Sequence, residues 1–161
     1  MRSQEEACRA IDLYADTVRR ICMVHLKNYS DTEDIFQTVF LKYVLHTAPF
    51  DSPEHEKAWI IRVTINACKD FLKNVFRSRT IPLEHLIETP SAPDTAHSDL
   101  IEAVLSLPEK YKDVIYLYYY EGYSAAEISS ILKKKVNTVY TLLTRARQIL
   151  KKQLEGVVDN E

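Results

Sequence analysis

GYSAAEISSILKKKVNTVYTLLTRARQILKKQL, Gly122 to Leu154, decides how the rest of this 161-residue chain is read. Ser124 followed three residues later by Glu127 is capping-box spacing, in which hydroxyl and carboxylate each satisfy a backbone N–H that a helix start leaves open. Ala125, Ile128, Ile131 and Leu132 then recur at helical intervals. Lys133 to Val136 break that short helix. Asn137, a favoured N-cap residue, opens a longer one through Thr138, Val139, Leu142, Leu143, Ala146, Ile149 and Leu150. Gly122 is placed for the left-handed cap of whatever helix precedes it. A short helix, a tight turn and a longer basic helix predict a helix-turn-helix, whose second helix presents its exposed face and first turn to the major groove of duplex DNA. An ordinary amphipathic pair in a plain bundle, its basic face merely solvated, uses the same residue types.

Upstream, Asp99 reads as the N-cap of a helix with Leu100, Ala103, Val104 and Leu107. Pro108 stops that helix and starts another at N1, running through Val114, Ile115, Leu117 and Tyr118. Tyr118, Tyr119 and Tyr120 are not a stacking platform on this reading. Consecutive helical residues diverge by about 100°, so Tyr118 packs and the others sit at the edge. Ser78 to Ser98 contains Pro82, Pro90 and Pro93 among small polar residues and reads as an interdomain tether, with Leu83 and Leu86 docking locally.

The first part of the chain reads as three helices. Ile11, Tyr14, Val18, Ile21 and Cys22 mark one that ends near Asn28. Ser30 and Glu33 have capping-box spacing, with Asp31, Glu33 and Asp34 favourably placed in the new first turn. That second helix carries Ile35, Val39, Leu41 and Tyr43 up to about His46. Thr47 to Pro53 is a turn with two prolines, and a third helix runs from Glu54 to about Phe76 with Trp59, Val63, Ala67 and Phe71 on one face. The fold class is therefore all-α: two small helical domains, residues 1–77 and 99–155, joined by a flexible linker at 78–98, the C-terminal one a helix-turn-helix.

Composition narrows the function classes. Apolar residues at 46% and charged residues at 27% describe a globular chain, and two glycines among 161 positions favour helix over sheet. No apolar run reaches bilayer length and Met1 to Ala10 lacks a signal peptide's apolar core, so a cytoplasmic location is expected. Cys8, Cys22 and Cys68 are too widely spaced for a disulfide scaffold or a CxxC site and read as buried or half-buried thiols, while the five histidines form no HExxH or Cys-His cluster. No metal and no cofactor is expected. Net charge is only −2, but its distribution is uneven: Lys133 to Gln153 carries seven basic residues and no acidic one, Arg62 to Arg79 five basic residues against Asp70 alone, and Ile81 to Leu132 nine acidic residues against Lys110 and Lys112. Two basic patches divided by acidic ground give local footprints that the total hides.

No residue set looks catalytic, so the chain is not read as an enzyme and no small-molecule substrate is expected. Asp31, Glu33 and Asp34 share one helical turn, where acidic residues compensate the helix dipole. Trp59, Asn66, Asp70 and Lys73 recur about one turn apart in a basic segment. Asn66 either satisfies itself inside the core or offers its amide to a base edge.

Four stretches together resemble one family. They are DTEDIFQTVFLKYV at Asp31 to Val44, AWIIRVTINACKDFLKN at Ala58 to Asn74, LPEKYKDVIYLYYYEGYSAAEISSIL at Leu107 to Leu132, and NTVYTLLTRARQILKKQL at Asn137 to Leu154. In this order, with a linker between the second and third, they resemble the bacterial RNA polymerase sigma factors of the small extracytoplasmic-function class, over about Ala10 to Leu154. The resemblance implies that Asp31, Glu33, Asp34, Ile35 and Gln37 bind core RNA polymerase, with Thr32 where alanine is common. It implies that Trp59, Arg62, Asn66, Lys69, Asp70, Lys73, Arg77 and Arg79 serve the melted minus-10 element. The loop at Pro49 to Pro53 matches the segment that captures a flipped base. Lys134, Lys135, Thr138, Tyr140, Thr141, Arg145 and Arg147 would meet the minus-35 duplex, with Arg145 and Arg147 on phosphates.

Two positions depart from the pattern. Lys133 stands where glycine is frequent, at a cost of roughly 1 kcal/mol if the backbone there is left-handed. Leu142 stands where arginine is common, removing a basic contact to DNA. The resemblance further implies promoter DNA and an anti-sigma factor as partners, the latter able to hold the protein at the membrane. A dimeric helix-turn-helix regulator, or an adaptor that docks on polymerase without reading promoters, are the alternatives. The first leaves the basic Trp59 helix and the acidic turn without a task.

Overall fold

Every regular element in the computed structural model, which describes residues 1–78 and 98–159, is a helix. The chain divides into two compact units, Met1–Pro90 and Ser91–Glu161. The 79–97 part of the tether, with the docking of Leu83 and Leu86, lies outside the described residues.

The first unit is a three-helix bundle: α1 (Gln4–Leu26), α2 (Tyr29–Leu45) and α3 (Pro53–Ser78). Helix α1 starts a full two turns before Ile11, because Ser3 and Glu6 form a capping box. The Glu6 N–H donates to Ser3 Oγ at 3.2 Å and the Ser3 N–H donates to Glu6 Oε2 at 2.8 Å. The box predicted at Ser30 and Glu33 does not form. Lys27 turns left-handed at φ 55°, and Asn28 then caps α2, its Oδ1 accepting the Asp31 N–H at 3.1 Å. An N-cap two residues earlier leaves Ser30 inside the first turn. Ser52, not predicted as a cap, accepts the His55 N–H at 3.0 Å and puts Pro53 at the first helical position, where its missing N–H costs nothing.

The core of this unit gathers Ala10, Tyr14, Val18 and Cys22 from α1, Ile35, Val39, Phe40 and Tyr43 from α2, and Ile60, Ala67 and Cys68 from α3. Trp59, Val63 and Phe71 only half-bury against it, because the inward face of α3 is instead centred on Ile60, Ile61, Thr64 and Ile65. Each fully buried isoleucine there contributes about 1.5–3 kcal/mol relative to exposure. Leu41, read with the apolar residues of α2, is 60% exposed.

The second unit comprises α4 (Ser98–Leu105), α5 (Glu109–Ile115), α6 (Ala125–Leu132) and α7 (Val136–Asp159). Helix α4 already includes Asp99, which is therefore not its N-cap, and Pro108 is the residue before α5 rather than its first. Leu100, read with the apolar face of α4, is 47% exposed. Helix α5 continues into a π-wound turn, Tyr116–Tyr120, closed by the Glu121 N–H donating to the Tyr116 carbonyl at 3.1 Å. Gly122 follows at φ 77°, as its position before the Ser124 cap required. Val114, Leu117, Ile128, Val139, Leu143 and Ala146 are almost fully buried and fix α7 against α5, and α6 against α7 and the π-wound turn.

Candidate nucleic-acid interface

The helix-turn-helix is set by local hydrogen bonds at both ends of α6. Glu127 N–H donates to Ser124 Oγ at 3.2 Å and Ser124 N–H to Glu127 Oε1 at 3.0 Å, so both halves of the predicted box are made. At the other end Lys133 is left-handed, φ 55° and ψ 49°. Ser129 closes the turn: its carbonyl accepts the N–H of Lys133 and of Lys134, and its hydroxyl donates to the Lys134 carbonyl. The Lys135 carbonyl accepts the Val139 N–H at 3.1 Å, which starts α7 at Val136. Asn137 therefore lies inside the first turn and is exposed, not the cap it was predicted to be.

Along α7, Thr138, Thr141 and Arg145 are exposed on one face, opposite buried Val139, Leu143 and Ala146. Lys134 and Lys135 stand beside the N-terminal end of that face. Asn137, Gln148 and Lys152 extend it; they were absent from the sequence candidates, although three-, four- and seven-residue spacing from Thr141 and Arg145 places them there. Leu142 is 7% exposed. The expected loss of an outward basic contact at that position is corrected: this side chain packs inward.

Tyr140 and Arg147 fall on an adjoining face. Arg147 Nε donates to the Tyr119 hydroxyl at 2.6 Å, and its guanidinium lies 5.4 and 5.5 Å from the Tyr118 and Tyr119 ring centres. Those rings meet edge to face at 5.0 Å, while Tyr116 stacks on Tyr120 at 5.3 Å. The buried tyrosine is Tyr116, not Tyr118, which is 37% exposed. Arg147 is thus held by the π-wound turn on the rim of an apolar groove of about 800 Å³, lined also by Val104, Ile115, Leu150 and Leu154.

In the first unit, α3 turns Arg62, Asn66, Lys69, Asp70 and Lys73 to the side opposite its core face. Asn66 is exposed, which removes the buried-amide alternative. No carboxylate among the described residues lies within ion-pair distance of Arg62 or Lys73. The side chains of Arg77 and Arg79 lie outside the described residues.

At the start of the same helix, Trp59 belongs to an aromatic cluster. It meets Tyr43 at 6.3 Å, Phe50 at 5.6 Å and His46 at 4.6 Å between ring centres. Tyr43 and Phe50 are within 8° of parallel, 6.3 Å apart. Arg2 joins them, its guanidinium carbon 4.8 and 4.9 Å from the two ring centres. Beneath lies a polar network. Arg9 Nη2 donates to both Glu56 oxygens at 3.0 and 2.9 Å, and the Tyr43 hydroxyl donates to Oε2 at 3.4 Å. Burial, then the hydrogen bond to Glu56 and its charge, push the Tyr14 phenol up to about 12.

The acidic turn of α2 is only partly available. Glu33 pairs with Arg19 at 3.1 Å, and that guanidinium also covers the Phe36 ring at 4.3 Å. Asp34 and Gln37 are exposed. Ile35, grouped with them as a polymerase contact, is 6% exposed and belongs to the core, as does Thr32 at 2%. Helical spacing from Asp34 and Gln37 leads instead to Leu41 and Leu45, each 60% exposed, so this stripe changes from acidic to apolar along the helix.

The family model for sigma-70 region 2 matches residues 10–78, and that for sigma-70 region 4 matches residues 97–150. The chain is 31% identical to the RNA polymerase sigma factor SigV of Bacillus subtilis, over 84% of this chain and 82% of that protein. It is 27% identical to the ECF RNA polymerase sigma factor SigW of the same organism, over 96% and 91%. Among solved structures, the sigma factor RpoE of Bartonella quintana, crystallised with the anti-sigma factor NepR, has the same fold. It matches with a TM-score of 0.76 at 18% identity, covering 94% of this chain and 98% of that one.

Proposed function

This chain belongs to the sigma-70 family, in the extracytoplasmic-function class, and directs RNA polymerase to promoters; on that premise we propose which of its surfaces perform each part. The first unit, residues 1–77, holds core polymerase through α2 and the melted minus-10 strand through α3. The second, residues 99–155, reads the minus-35 duplex through α7, and residues 78–98 tether the two. Its role is recruitment, not catalysis.

One observation carries the reading: in each unit the basic and amide side chains line one outward helix face opposite the core. On α3 that face joins Arg62, Lys69 and Lys73, suited to phosphates, with the Asn66 amide, suited to a base edge. Trp59 and Phe50, beside the turn before α3, supply rings on which an unstacked base can rest. On α7 and the turn before it, Lys134, Lys135 and Arg145 flank Thr138 and Thr141, the usual division between phosphate anchoring and base reading. Asp34 and Gln37, with Leu41 and Leu45 behind them, are the polymerase-facing stripe, where exposed carboxylates steer a basic partner and apolar side chains hold it.

The protein works in the cytoplasm on this reading, with promoter DNA as its target. An anti-sigma factor controls it on this reading, as NepR binds the sigma factor RpoE of Bartonella quintana. The test is transcription in vitro with purified core polymerase on a genomic fragment library at low salt. Discrete start sites that depend on this chain are the expected result. Absence of any such site on every fragment would overturn the promoter assignment.

A further inference from the structure

Two residues before α1, Arg2 is tied into the turn that leads to α3. Its backbone N–H donates to the Val44 carbonyl at the end of α2, at 2.9 Å. Its Nη2 donates to the Ala48 carbonyl in the turn, at 2.8 Å. The guanidinium caps the parallel rings of Tyr43 and Phe50, and Nη1 lies 3.8 Å from Glu6 Oε1 in the capping box of α1. One side chain, only 11% exposed, thus joins the starts of α1 and of the turn to the end of α2. Trp59 completes the ring cluster from α3.

A plain filler would not need an arginine. The buried Nε–H finds no acceptor among the described residues, a burden that lysine or methionine would avoid. What arginine alone supplies is a flat cation that stacks on two rings while its fork reaches a carbonyl in the turn. We propose that Arg2 is a positioning residue for minus-10 recognition: it fixes the backbone at Ala48 and the ring of Phe50, so that the turn before α3 is already shaped to receive an unpaired base. This rests on the proposed role of that turn, and it adds a segment outside α2 and α3 to the recognition apparatus. Preorganisation lowers the ordering cost of binding, so its loss appears where a base must be captured as it leaves the duplex.

The experiment uses holoenzyme reconstituted from the full chain and core polymerase, on a promoter recovered from the fragment library. Abortive initiation is measured on the duplex and on the same template premelted across the minus-10 element. Arg2→Ala should lower initiation about tenfold on the duplex and far less on the premelted template, the size expected for losing one desolvated cation–ring contact. Arg2→Lys, which keeps the charge but not the fork, should fall between. Affinity for core polymerase should not change. Trp59 is the chain's single tryptophan, so its emission in the free protein reads the cluster directly and should shift to the red in Arg2→Ala. Unchanged initiation and emission overturn the proposal, and so does an equal loss on both templates or a loss of core affinity, which would mark Arg2 as general scaffolding. Should wild-type holoenzyme initiate nowhere, the promoter reading has failed instead, and the emission still reports whether Arg2 holds the turn.

Discussion

Removing the exposed cation of the Arg9–Glu56 pair should damage the first unit more than neutralising its buried anion. The Glu56 side chain is 8% exposed and that of Arg9 is 52% exposed. In Glu56→Gln no charge remains inside, the amide oxygen still accepts a hydrogen bond, and Arg9 falls back on water, so the cost is about 1 kcal/mol. In Arg9→Ala the carboxylate stays buried with only phenols to solvate it. That costs about 2–3 kcal/mol, less than the 3–5 typical of an orphaned buried charge because those donors persist. The double variant should be more stable than Arg9→Ala alone, since the stranded charge is gone. Urea unfolding followed by Trp59 emission reads this unit selectively. A difference of 1–2 kcal/mol corresponds to roughly 4–16 °C in Tm for a domain of this size. If Glu56→Gln proves the more damaging change, or the double variant is the least stable of the three, the assignment of the cost to a buried charge is wrong.

The remaining expectations need simpler measurements. Because the folded-state pKa of Tyr14 is raised to about 12, its contribution is intact below the ordinary phenol value near 10 and is lost as pH rises from there through 12; Tyr14→Phe should flatten alkaline unfolding followed by circular dichroism over that window. Cys8 is exposed while Cys22 and Cys68 are buried with sulfurs 3.9 Å apart, so native protein should release one rapid equivalent with a thiol reagent and all three only after denaturation. Arg145→Ala should weaken duplex binding across all sequences and lower the salt slope by about 1. Arg147→Ala should leave that slope alone and lower stability instead, since Arg147 is bound to Tyr118 and Tyr119; equal effects from the two would contradict the separate faces of α7.

What could be read from sequence was what local chemistry decides. The Ser124–Glu127 box and the left-handed Gly122 involve only neighbours in the chain, and both form as read. The same pattern at Ser30 and Glu33 fails because Lys27 reverses the chain and Asn28 caps first. Asn137 fails as a cap for a related reason: Ser129, on the preceding helix, closes the turn and starts α7 early. Burial was less legible than helicity. Leu41 and Leu45 are apolar but exposed, and Asn66 sits between core residues in sequence but faces outward, because a wheel's orientation depends on which neighbour packs against it. Arg2 and the pairing of Arg147 with the tyrosines depend on contacts between distant parts of the chain. Spacing along one helix carried some signal for Gln148 and none for the others.

The π-wound turn at Tyr116–Tyr120 bears on chain length. Such a turn takes up one residue more than an α-helix needs for the same end points. One of these five residues is therefore surplus to the span from α5 to Gly122. A deletion of one tyrosine can be absorbed by rewinding to an ordinary helix, with Gly122 and the cap at Ser124 left where they are. The paired rings that grip Arg147 would not survive the rewinding. The surplus residue serves that grip, so this short stretch is a place where the chain can change length by one at the expense of the ring contacts of Tyr116–Tyr120 and their hold on Arg147.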